Sequence, residues 1–429
     1  MAVGSLVHNE FASFVDPSTG ARLERLTSPK VTCHLPKHTC RYTSADGSLL
    51  LYVGEYGETR QLYAMNLMTD TSVQLTGGRG LCEYGGIWLD VDDAHVLVLQ
   101  GDELSRIDLE TLLRERVYTC APGWLPQCFT LSEDGRYVVL TEYEHTSVPV
   151  SVEESDWSYF ALTTIASPHC RIVLLDRQTN ECHVVRDEHC WLGLATLRPG
   201  DPTTILYCHE GPYDYIDDRM WLVNSDGTNV RCVRETSEGA IVVGESWAKD
   251  GSGLYYEYLD EETVKDGATS GQGARICVTD FETLESREVT RCHFYAHASG
   301  SRNHRWIVGD ASNGVPLHLL SDAAPAAPAE VDDYLYLMGV GAWRELRLCH
   351  HGTSWGHQWG TIQDTHPHPA FSSDNRWVLF NSDRDGHPAI YRVDLVRFLW
   401  ERGRVHGPFE PGEQGLPDAA WGFPATFAS

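Results

Sequence analysis

Short apolar runs, each introduced by a polar turn, recur along the whole chain. Asp46-Gly47 precedes Leu49-Leu50-Leu51-Tyr52, Asp134-Gly135 precedes Tyr137-Val138-Val139-Leu140, and Asp374-Asn375 precedes Trp377-Val378-Leu379-Phe380. Asp92-Asp93 before Val96-Leu97-Val98-Leu99, Gly200-Asp201 before Ile205-Leu206-Tyr207, Asp250-Gly251 before Leu254-Tyr255-Tyr256 and Asn303-His304 before Trp306-Ile307-Val308 bring the set to seven. Turns of this composition accept left-handed backbone, and the runs behind them have strand composition. In the first unit a second strand, Gln61 to Met65, and a third, Ser72 to Thr76, follow. A repeat of roughly 40 to 70 residues suits four-stranded propeller blades with insertions. The expectation is an all-β, seven-bladed β-propeller, one domain over residues 1–429, with residues 1–30 helping to close the ring. A pair of β-sandwiches would not repeat the same order of turn and strands. Insertions are expected near residues 143–168 and 311–334, the latter with the Ala/Pro-rich Ala323 to Ala329 as a loop. Only Leu104 to Val117 and Leu395 to Arg402 have the pattern of short helices.

Composition narrows the function classes. Sixty-one acidic against 33 basic side chains give a formal net charge of -28, which opposes binding to nucleic acid or anionic lipid. An anionic substrate would therefore need a locally positive site, built from a divalent cation and a few inward Arg or Lys residues. The chain shows neither a leader pattern nor an apolar stretch of about 18 residues, so a cytoplasmic protein is expected. The 13 cysteines are odd in number and contain no CxxC pair, which points to reduced, buried thiols.

Propellers serve as docking scaffolds and as enzymes, so chemistry has to be located in particular residues. The run Gln363-Asp364-Thr365-His366-Pro367-His368-Pro369 is the leading candidate. In an extended strand His366 and His368 would face the same way between stiffening prolines, and a bend would bring the Gln363 carbonyl oxygen to the same point. Such nitrogen and oxygen ligands suit Mn, Fe, Ni or Zn. The plainer reading is a rigid loop carrying two surface histidines. A second cluster, His209-Glu210-Gly211-Pro212, ends the corresponding strand of the fourth unit. The repeats leave few residues over to build the hydrolase domain of a peptidase-type propeller, which disfavours that class.

At these residues the chain resembles the oligogalacturonate lyase family of bacterial cytoplasmic enzymes. The likeness runs through Trp191-Leu192-Gly193, His209-Glu210-Gly211-Pro212, Asp218-Arg219-Met220-Trp221, Val308-Gly309-Asp310, Thr353-Ser354-Trp355 and Gln363 to Phe371. It implies a seven-bladed propeller, pectin-derived uronate oligosaccharides as substrate, and a site of one Gln and three His for a manganese-type ion. Gln363, His366 and His368 match three of these ligands, and His297 is the preferred fourth over nearby His293. The oligomeric state stays open.

The resemblance implies β-elimination, in which the ion neutralises the uronate carboxylate, a base removes the C5 proton and the C4 oxygen departs. Arg219 matches the family's catalytic arginine. The family's histidine base falls at Gly244 in Gly244-Glu245-Ser246-Trp247, and the histidine expected after Trp-Leu-Gly is Leu194. His209 is the first substitute base. Glu210 and Glu245 are expected near the substrate, Trp355 and His351 beside the sugars, and Lys37 at a second carboxylate. The rival reading is a metal-containing uronide-binding or regulatory propeller with altered catalysis.

Overall fold

The computed structural model describes residues 1–145, 162–211, 215–216, 218–260, 262, 273–311, 333–342, 344–355 and 362–403. Among them the strands form seven antiparallel sheets of four or five strands. The innermost strands of successive sheets are Cys33–His34, Ile87–Leu89, Trp124–Leu131, Thr196–Arg198, Ile241–Trp247, Tyr295–Gly300 and Ala370–Phe371. The seven-bladed expectation holds.

Each polar turn read from the sequence joins an innermost strand to the next one out. All seven place a residue in the left-handed region, at Gly47, Asp93, Gly135, Gly200, Gly251, His304 and Asn375, with φ between 54° and 71°. Side chains lock the reversal: Ser44 Oγ donates to Asp46 and Ser132 Oγ to Asp134, both at 2.6 Å, and Ser301 Oγ to Asn303 at 2.7 Å. A second repeated turn joins the outer strands. Asn66, Asp108, Asp176 and Asp280 each accept from the backbone N–H groups two and three residues on. Asp16 does the same for Ser18 and Thr19. This side-chain mimicry of a backbone turn is the ordinary use of Asx residues.

Leu104 to Val117 is therefore not helical. It contains strand Glu103–Asp108, the Asp108 turn with Leu112 at φ 60°, and strand Arg114–Thr119. Leu395–Glu401 is a helix, capped by Asp394, whose carboxylate accepts from Arg397 N–H at 3.0 Å. The expected insertions fall mostly in residues 146–161 and 312–332, outside the described residues.

The N-terminal strands Ala12–Val15 and Arg22–Arg25 complete the seventh sheet, with Leu23 opposite Val393 and Arg25 opposite Tyr391. The first and last sheets also share one apolar core, in which Leu26, Leu50, Tyr52 and Leu62 pack with Leu379 and Ile390. At about 1.5–3 kcal/mol for each large side chain taken fully from water, such burial holds the closed ring against chain entropy. Asp16 ties the same turn to the sixth sheet by accepting His350 N–H at 2.8 Å. All 13 cysteines are free thiols, most of them buried. Among the described residues no helix is long and apolar enough to cross a membrane.

Candidate metal centre

Three imidazoles meet at the channel. His297, His366 and His368 each offer a ring nitrogen, and the three atoms all lie within 4.8 Å of one another. His297 comes from the innermost strand of the sixth sheet, where a bulge between Tyr295 and Ala298 re-aims the side chain. His366 and His368 come from the run leading into the seventh sheet.

That run is not the extended strand expected. Gln363 lies in a short helix, Ile362–Thr365, and its side chain is outside the described residues. His368 sits at φ 44° although Pro369 follows, a combination that proline disfavours and that surrounding contacts must impose. Those contacts hold the carbonyls, since prolines lack a donor. Asn381 N–H donates to Pro367 O at 2.8 Å, Asn381 Nδ2 to His366 O at 3.3 Å, and Ser299 Oγ to Pro369 O at 2.8 Å. Asp364 anchors the helix end. It accepts from Arg60 at 3.0 and 2.5 Å and from Tyr84 OH, while Arg60 and His34 both reach Glu83 at 3.1 Å. His34, Glu83 and Asp364 are a second cluster of potential ligands, but the Arg60 guanidinium already supplies the positive charge there.

The residues fit a metal ion. His297 Nδ1 shares a hydrogen bond with Asp310 at 2.8 Å, a carboxyl–imidazole pairing that orients the ring and directs the other ring nitrogen outward. His366 Nδ1 is buried with no hydrogen-bond partner, an atom whose burial is costly unless a ligand meets it. Burial pushes His297 down to about 3. It also pushes His366 and His368 well below the usual imidazole range, helped by their neighbours, and neutral imidazole is the form that binds cations. A nitrogen-rich set without thiolate suits Mn, Fe, Ni or Zn. His293 goes elsewhere, pairing with Glu345 at 2.9 Å and stacking on Tyr336.

A second group is built around Arg219. Arg219 donates to Glu210 at 2.8 Å and to both Glu245 oxygens at 3.1 and 3.2 Å. Gly193 makes room: a Cβ there would lie 2.4 Å from Cys208 Sγ and 2.7 Å from a Glu210 oxygen. Burial raises the Glu245 carboxyl, but Arg219 outweighs it and holds the group below its usual value. Lys37 links the two groups electrostatically. Burial works against its charge, yet Glu210 keeps its ammonium above the usual value, and that charge bears on His297 and His368.

His209, next to Glu210 in the sequence, makes contacts of its own. It stacks on Trp221 at 5.1 Å and lies 3.3 Å from Glu188, close enough for an ion pair though not aligned as a hydrogen bond. Trp355, at φ 54°, sets its indole edge-on to His366 at 4.8 Å. His351 is fully buried with its ring against Trp355, so it backs the indole and is closed to solvent. Gly244 occupies a bulge between Val243 and Ser246 at φ 69°, and a Cβ built there meets nothing within 4 Å. Sequence reasoning missed His38, Asp310 and the Arg60–Tyr84–Asp364 clamp. Asp310 had a signal in Val308-Gly309-Asp310, whereas Lys37-His38 and Arg60 carry no spacing cue.

A family profile described as oligogalacturonate lyase matches residues 1–398. The chain is 33% identical over 407 residues to the oligogalacturonate lyase of Dickeya dadantii (strain 3937), covering 94% of this chain and 100% of the relative. It is also 33% identical over 406 residues to the oligogalacturonide lyase of Pectobacterium atrosepticum, covering 93% and 100%. Among solved structures, an oligogalacturonate lyase in complex with manganese superposes with TM-score 0.81 at 34% identity, over 93% of this chain and 100% of that one. The oligogalacturonate lyase of Vibrio parahaemolyticus gives TM-score 0.79 at 33% identity, over 92% and 99%.

Proposed function

The chain belongs to the oligogalacturonate lyase family, and from that premise we propose that it cleaves short uronate oligosaccharides by β-elimination at the centre just described. It is a metal-dependent lyase, with manganese as the cofactor. The observation that carries the reading is the convergence of His297, His366 and His368, with the Lys37 charge bearing on two of them, in a chain of net charge -28.

These imidazoles, with Gln363 as the expected further ligand, would hold the ion, which would supply Lewis-acid neutralisation of the uronate carboxylate and so lower the cost of the charge that develops when C5 loses its proton. Everything else falls to side chains. Arg219, held in a fixed fork by Glu210 and Glu245, presents guanidinium charge toward the developing dianion without reorganising. Lys37 meets a second carboxylate of the oligosaccharide. Trp355 offers an aromatic face to a sugar ring, and buried His351 supports it.

The position of the family's histidine base is held by Gly244, on this proposal, and the open space beside its bulge agrees with a lost side chain. His209 takes the proton instead, its ring poised by Glu188. A cytoplasmic site of action belongs to the same proposal.

The test is to incubate manganese-loaded protein with digalacturonate and longer oligomers and follow the absorbance of the 4,5-unsaturated product. Wild type is expected to produce it, His366→Ala to lose it, and His209→Gln to slow it. Uronide binding without unsaturated product would mark a binding propeller and overturn the enzymatic reading.

A further inference from the structure

We propose that His38, in the loop after the innermost strand of the first sheet, is a positioning residue for the metal centre. Its Nδ1 lies 3.3 Å from His368 Nδ1, so it holds that ring as Asp310 holds His297. The inference rests on the three-imidazole reading above and adds a residue to it.

Two imidazoles sharing one hydrogen need one donor and one acceptor. With His38 Nδ1 accepting, His368 carries its proton on Nδ1 and turns the lone pair of Nε2 to the group. The rings lie 5.5 Å apart at 20°, and His38 approaches His297 at 5.5 Å and 60°, so it braces both. His38 is itself fixed. Lys37 N–H donates to Tyr84 O and Cys40 N–H to Lys37 O, each at 2.8 Å, and Leu35 N–H donates to Asn381 Oδ1 at 2.8 Å. The loop is thus pinned to the turn that leads into the second sheet and to the seventh sheet.

His38 stands outside the set of nitrogens that lie within 4.8 Å of one another, which favours an outer partner over a further ligand. The choice of partner has a chemical effect. A carboxylate partner adds negative charge and raises ligand basicity, whereas a neutral imidazole orients without adding charge. The centre keeps more positive field for an acidic sugar.

The test measures manganese affinity by titration calorimetry for wild type, His38→Phe, His38→Asn and His366→Ala. Phe keeps the ring volume without an acceptor, and Asn restores an acceptor. Loss of an outer partner weakens metal binding by about 10- to 100-fold, so His38→Phe should fall in that range and His38→Asn should recover most of it. Electron paramagnetic resonance of the copper-loaded proteins should show the same number of nitrogen couplings in wild type and His38→Phe. Should Phe prevent folding, His38→Leu, which also lacks an acceptor, carries the same comparison. Unchanged affinity in the acceptor-free variant, or a lost nitrogen coupling, overturns the positioning role. Unchanged affinity in His366→Ala would overturn the underlying metal reading instead.

Discussion

Arg219→Ala removes the guanidinium that pairs with two carboxylates in a nearly closed space. Glu210 and Glu245 have side chains 18% and 9% exposed, and Arg219 is 12% exposed. Breaking a fully buried pair costs about 3–5 kcal/mol, and the residual solvent here moves the expectation to about 3 kcal/mol. The pH dependence has a definite sign. Arg219 holds the Glu245 carboxyl below its ordinary value, so the pair's stabilisation is present above the unfolded carboxyl range of about 4 and is lost as pH falls through the folded value. Arg219→Ala should therefore flatten the acid limb of the stability profile. For catalysis, losing one pre-aimed donor to developing charge lowers kcat by about 10²–10³, while a purely structural role would leave kcat per folded molecule intact. Arg219→Lys separates the two, keeping the charge and losing the fork. Urea unfolding against pH and steady-state formation of unsaturated product provide the readouts. If Arg219→Lys keeps both the wild-type unfolding midpoint and wild-type kcat, the reasoning fails.

Asp310→Asn should weaken manganese binding by about 10- to 100-fold, measured calorimetrically, because the amide is a poorer partner than the carboxyl for His297 Nδ1. Equal affinity would show that Asp310 does not orient that ring. Gly244→His should cost about 1–2 kcal/mol in thermal unfolding, since φ 69° is unfavourable for any L side chain. It should raise turnover by placing an imidazole in the open bulge, and unchanged turnover in a folded, metal-competent variant would refute the reading of Gly244 as the vacated base position. Burial raises the Asp16 carboxyl, but bonds from Ser18, His350 and Thr19 hold it below its usual value. Its stabilisation is accordingly lost only below about pH 4, and Asp16→Asn should narrow the fall in thermal midpoint between about pH 6 and 2.

The sequence exposed the blades because the inner turns are made by local chemistry: in most a Ser, Asp or Asn side chain, then a residue tolerant of positive φ, then apolar residues. The outer turns were equally local but went unread. Asn66 to Thr69, Asp108 to Thr111, Asp176 to Thr179 and Asp280 to Thr283 share one spacing, and noticing it would have prevented the helical reading of Leu104 to Val117. There Leu104 and Ile107, both buried, and Leu112, only partly buried, imitate helical periodicity while lying on two strands and a turn. The imidazole group was legible through residue type and resemblance. The alternation argued for His366 and His368 was not the cause of their convergence, which depends on a helix end clamped by Arg60 and on the left-handed backbone of His368. Long-range partners such as His38, 330 positions from His368, leave no pattern in a linear string.

The seventh sheet is stitched from both ends of the polypeptide, with Leu23 opposite Val393. Strand Arg22–Arg25 therefore has to wait for Ala389–Asp394 before the sheet into which His366 and His368 lead can close.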